Sequence, residues 1–171
     1  ISDNKNGNGN DAPIHVRPGG SLTLLSSTLA YNSGQGIYVQ AAKKPANAAT
    51  IRIESSVLMG TPDALRIHRK EASRAAVFTS VLYGGVGFVP LDMASSRELP
   101  VFNLTDTERY RPTFGSPAIG ICRCTVRDTR VDVAGKKRGK TCTAGALEST
   151  RSEIKKTLNH RKSVKKAVKK K

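Results

Sequence analysis

The sequence predicts an all-β solenoid, a parallel β-helix, and three observations carry that expectation. Three segments align on one Ser-x-Leu core: LTLLSSTL at 22–29, IRIESSVL at 51–58 and AAVFTSVL at 75–82. Each opens on an alternating apolar pair (Leu22/Leu24, Ile51/Ile53, Ala75/Val77), the period of a half-buried strand. The aligned serines Ser27, Ser56 and Ser80 are 29 and 24 residues apart, and no helical periodicity interrupts the units. A unit of that length cannot bury its apolar stripe alone; stacking places equal positions one strand spacing apart, roughly 4.8 Å, in a continuous core. An up-and-down antiparallel sandwich is the competing arrangement for short strands between Gly/Asn turns.

The elements follow in chain order. Residues 4–11 are polar and rich in Gly and Asn, a poor strand and a poor cap. Ile14/Val16 reads as the closing strand of an earlier turn. Each repeat then places a leucine in phase (Leu29, Leu58, Leu82), predicted to stack in mutual contact. Asn32, Gly60 and Gly84 follow within three residues, types that tolerate positive φ at a corner. A second alternating pair recurs after each corner: Ile37/Val39, Leu65/Ile67, Val86/Phe88. About four coils fit before residue 90, which is short for a solenoid, and the chain opens on Ile1 rather than Met; the expectation is the C-terminal part of a longer solenoid. Residues 1–148 form the body, with a closing segment over about 89–148, and 149–171 form a basic appendage.

The stretch 19–32 (GGSLTLLSSTLAYN), followed by GIYV at 36–39, resembles the right-handed parallel β-helix repeats of bacterial surface and secreted proteins. FGSPAI at 114–119, DVAGKKR at 132–138 and TAGALE at 143–148 resemble, in order, the ending of choice-of-anchor Q domain proteins; polymorphic outer-membrane proteins have related repeats. The likeness spans about residues 14–148 and implies a right-handed coil and an extracellular or bacterial cell-surface location. It departs from the pattern at Gly120, where such endings have Asp, and the Asp-rich turns of such proteins are thin here, so no calcium or catalytic role carries over. In this ending Asp132 and Arg138 are expected to pair, with Gly135 and Gly145 supplying the turns.

Composition narrows the functions. The chain of 171 residues has 37% hydrophobic side chains, no Trp and 5% aromatics, and no run of eighteen apolar residues that could form a spanning helix. Polysaccharide hydrolysis needs clustered carboxylates and lyase chemistry needs a base beside converging oxygen ligands. The nearest collection, Asp63, Arg66, His68, Arg69, Lys70 and Glu71, reads as a solvated basic turn. No catalytic residue, metal ligand set or cofactor is assigned, and a lyase or glycoside hydrolase stands as the alternative function.

Binding is better supported. Outward strand positions supply Tyr38, Arg52, Arg66 and His68, a mostly basic face suited to an extended anionic glycan. Of three cysteines, Cys142 is expected to pair with either Cys122 or Cys124, leaving one thiol. The net charge is +16, and residues 151–171 hold ten basic side chains and one acid. Lys155, Lys156, Arg161, Lys162, Lys165, Lys166, Lys169, Lys170 and Lys171 are the candidates there for non-specific contact with lipid headgroups, nucleic acid or other polyanions. Ile154, Leu158, Val164 and Val168 share one side of a helical wheel, a pattern that fits a helical tail with a partial apolar stripe. The function expected is a non-catalytic surface or secreted scaffold, adhesin or binder of anionic polymers; a non-specific nucleic-acid-binding protein is the second alternative.

Overall fold

The computed structural model describes residues 12–32, 34–40, 43–44, 47–67, 73–87, 89, 91–105, 109–122 and 130–168. Eight strands fill the first half: β1 (Ile14–Val16), β2 (Ser21–Leu25), β3 (Thr28–Leu29), β4 (Ile37–Val39), β5 (Ala49–Glu54), β6 (Val57–Ile67), β7 (Ser73–Phe78) and β8 (Val81–Val86). Two short strands, β9 (Phe102–Asn103) and β10 (Arg111–Pro112), and one helix, α1 (Arg151–Val168), follow. β1, β4, β6, β3 and β8 form a parallel five-stranded sheet, with β3 and β8 both pairing with β6. β2, β5 and β7 form a parallel three-stranded sheet, and β9 and β10 pair antiparallel.

This corrects the expected fold class. An all-β right-handed solenoid does not describe the chain: parallel and antiparallel sheets coexist, and an 18-residue helix is part of the structure. The physical reason is a change of composition. The in-phase Leu, Ile and Val positions end near residue 86, and the later chain lacks the alternation that lays another full strand on β7 and β8. Past that point the described chain holds isolated bridges, such as Val77 to Leu91 and Val81 to Ser96, and the β9–β10 pair.

The phasing of the three segments does survive at the level of register. Leu29 is the Cα partner of Leu58, and Leu58 of Leu82, and all three are buried. Ile51 and Ile53 are buried while Arg52 between them is exposed, as alternation requires. The aligned serines have a polar task. The Ser27 N–H donates to Ser56 Oγ at 3.1 Å, the Ser56 N–H to Ser80 Oγ at 3.1 Å, and the Ser80 N–H to Ser95 Oγ at 3.1 Å. Each hydroxyl thus satisfies a backbone donor of the neighbouring strand layer at a corner where no ladder bond reaches it. The residues just before them, Ser26, Ser55 and Thr79, hold the sharp turn at φ of 47°, 51° and 46°.

The second corner differs from expectation. Positive φ falls on Tyr31 (54°) and Gly84 (118°), whereas Asn32 and Gly60 are outside that region. Gly60 is required for closeness instead: a Cβ there would lie 2.0 Å from the Asp63 carbonyl oxygen. Phe88, which completes the third apolar pair in the sequence, lies outside the described residues.

Candidate functional site

The four residues expected to form a binding face do not all meet. His15, Tyr38 and Arg66 occupy one cross-strand row, His15 being the Cα partner of Tyr38 and Tyr38 of Arg66. The His15 and Tyr38 rings meet edge-on with centroids 4.9 Å apart. Arg52 lies in the other parallel sheet, in the row Thr23–Arg52–Ala76. Its guanidinium is held by Glu54 at 2.7 Å and lies 5.6 Å from the Phe78 ring centroid, so its charge is engaged locally. His68 lies outside the described residues. Register brings two of the four together and adds His15, which lies between Ile14 and Val16 on β1.

The closing segment forms the most polar interior of the molecule. Asp132 does not pair with Arg138. Its Oδ1 accepts the N–H groups of Ala134 (2.9 Å) and Lys136 (2.7 Å), and its Oδ2 accepts the Glu148 N–H (2.9 Å). Arg138 pairs with Glu148 at 3.2 Å, with both side chains almost wholly buried. Arg138 also donates to the carbonyls of Thr143, Gly145 (2.6 Å) and Ala146 (3.2 Å). Glu148 accepts from the Thr143 N–H and hydroxyl, each at 3.1 Å. Burial pushes the Glu148 carboxyl above its usual range, against the opposing pull of the Thr143 N–H and the Arg138 charge. The turns fall at Gly135 (φ 78°) and Gly145 (φ 105°), as expected. Cys142 is disulfide-bonded to Cys122 across a Cα separation of 5.3 Å; Cys124 lies outside the described residues.

Helix α1 starts on a reciprocal cap. The Glu153 N–H donates to Thr150 Oγ1 at 3.2 Å, and the Thr150 N–H donates to Glu153 Oε2 at 2.9 Å. The helix then docks on the turn at 113–120. The Gly115 N–H donates to the buried Thr157 Oγ1 at 3.2 Å, and Arg161 donates to the carbonyls of Ile119 (2.8 Å) and Ser116 (2.9 Å). Phe114 and His160 rings meet at 5.8 Å. The docked side is therefore Ile154, Thr157, Leu158 and Arg161, while Val164 and Val168 are exposed. Arg161, expected among the free cations of the tail, is instead a docking residue: its long side chain reaches the carbonyls at the end of the 116–119 turn.

The remaining cations form a broad outward row, spread over about half of the helix circumference. Lys155, Lys156, Lys162, Lys165 and Lys166 are exposed; Lys169, Lys170 and Lys171 lie outside the described residues. Between α1 and the turn at 136–141 runs a cleft of about 590 Å³, lined by Lys136, Lys137, Arg151, Lys155, Lys162 and Asn159 among others. Lys136 and Lys137 are not among the residues expected from sequence; the doubled lysine inside the closing phrase is the signal that could have found them. Among the described residues no three His, Cys, Asp or Glu side chains are grouped to hold a metal ion, and no helix is long and apolar enough to cross a membrane. Compared with protein-family models, curated proteins and solved structures, the chain matches none.

Proposed function

We propose that the protein is a non-catalytic binder of anionic polymers, acidic polysaccharide in the first place, acting at a cell surface or in a secreted setting. The observation that carries the reading is that α1 is docked through Thr157, Leu158 and Arg161, so that Lys155, Lys156, Lys162, Lys165 and Lys166 project outward from an ordered element. Such a row concentrates positive potential without the entropy cost of ordering a free tail on binding. The disulfide between Cys122 and Cys142 supports an oxidising compartment, and the resemblance of the closing phrase to the ending of choice-of-anchor Q domain proteins supports a surface or secreted setting. A membrane-surface helix is less favoured, because the side of α1 carrying Ile154 and Leu158 faces the body. Nucleic acid is less favoured because the described lining of the cleft beside the row has no aromatic ring to stack a base.

Retention on immobilised heparin against salt tests this. Changing Lys155, Lys156, Lys162, Lys165 and Lys166 to Gln should move elution to lower salt and reduce the log–log salt slope by up to about four, at roughly 0.7–0.9 per ionic contact. An unchanged elution position with an unchanged slope would place the binding elsewhere.

A further inference from the structure

The cleft between α1 and the 136–141 turn shares Lys155 and Lys162 with the outward row, and differs from it because a second segment, the turn, adds cations of its own. Arg151, Lys155 and Lys162 fall within about 40° of one another on the helix. They form one wall, and Lys136 and Lys137 belong to the other. Lys136 is steadied by donating to the Ser149 carbonyl at 2.8 Å. The acid lining this cleft is Glu148, whose carboxylate is taken up by Arg138 and Thr143 and so offers little repulsion to an anion. Arg138 also lines the cleft and is itself buried, and its Nε–H has no hydrogen-bond partner among the described residues. Neutral groups are present too: the Asn159 amide and the Thr141 hydroxyl line the space and suit sugar hydroxyls.

Resting on the anionic-polymer reading, we propose that this cleft is a built site for a short acidic saccharide, about two sugar residues carrying carboxylate or sulfate groups. Its volume lies within the range of about 300–1,000 Å³ typical of small-ligand sites. A single small anion would leave one wall unanswered, whereas acidic groups on successive sugars engage both. The distinction from the outward row is physical. Row binding arises from counterion release and scales with polymer charge and salt; cleft binding is saturable, of one-to-one stoichiometry, and persists for a ligand too short to span the row.

The test is calorimetric titration of the full chain with a heparin-derived disaccharide bearing one uronate and its sulfates, in 150 mM NaCl. Inorganic phosphate, a short single-stranded oligonucleotide and anionic phosphatidylglycerol vesicles form parallel arms. The expected result is one-to-one binding of the disaccharide, weakened at least tenfold by Lys137→Gln with Arg151→Gln. The charge-matched Lys43→Gln with Lys44→Gln, at exposed positions outside the cleft, should leave it unchanged. Lys155→Gln with Lys162→Gln, both on the exposed helix side, gives a second loss-of-binding pair should the first pair melt early. Heparin retention without disaccharide binding overturns the cleft and leaves the polymer reading standing. Loss of both overturns both. Phosphate, oligonucleotide or vesicles binding the cleft as tightly as the disaccharide overturns the saccharide assignment.

Discussion

Replacing Arg138 with Met removes the cation at the centre of the closing segment while keeping most of its apolar stem. In the native fold the Arg138 and Glu148 side chains are 1% and 3% exposed, so the carboxylate left behind has little access to water. Breaking a buried pair from one side costs about 3–5 kcal/mol, because the surviving charge stays desolvated and unpaired. The carbonyls of Thr143, Gly145 and Ala146 lose their donors in the same step, which places the expected loss at the upper end. At about 1.4 kcal/mol per tenfold, that is a shift of roughly 140-fold to several thousandfold toward the unfolded chain. Urea unfolding at pH 7 with linear extrapolation reads it. Adding Glu148→Leu to Arg138→Met should make the double variant less destabilised than the sum of the singles, by about 2 kcal/mol or more, since the orphaned carboxylate is gone. A loss under about 1 kcal/mol for Arg138→Met, or strictly additive singles, would refute the reading that this pair anchors the closing segment.

Other perturbations probe the remaining levels. Leu58→Ala, at a fully buried position between Leu29 and Leu82, should cost about 2–5 kcal/mol in the same assay, and a surface-like effect below about 0.5 kcal/mol would contradict the register. Burial raises the Glu148 pKa in the folded state, so its contribution to stability is full below the unfolded value of 4.5 and is lost as pH rises through the folded pKa. Glu148→Gln should therefore flatten that part of the stability–pH curve; a curve parallel to the parent's in this window would assign the titration elsewhere. Arg161→Ala should lower the circular dichroism signal at 222 nm, because helix stability in a protein comes mostly from tertiary contacts and Arg161 supplies two of those that dock α1. Reducing the Cys122–Cys142 bond, which closes a separation of 20 residues, should remove about 3 kcal/mol of stability measured by urea unfolding with and without reductant.

Local pattern alone determined a good deal about this protein. Alternation and phase set which side chains of 22–29, 51–58 and 75–82 point inward, because a strand has period two and equal phases pair when strands lie parallel. Tyr38 and Arg66 were legible as outward positions for the same reason, and the charge of residues 151–171 needed only counting. Tertiary structure decided what depends on contacts between distant segments. It put Arg52 in a different sheet from Tyr38 and Arg66, because the chain turns a corner at Ser55 before β6 begins. It gave Arg138 to Glu148 and left Asp132 to backbone N–H groups, a choice among oppositely charged neighbours that spacing does not rank. Most of all, it turned a lysine-rich tail into a docked helix facing Lys136 and Lys137. Periodicity marked Val164 and Val168 as part of an apolar stripe, but the polar contacts that hold α1 are the Thr157 hydroxyl and the reach of Arg161 to two carbonyls. Polar anchors of that kind leave no periodic trace, since their partners exist only once the 113–120 turn has folded beneath them.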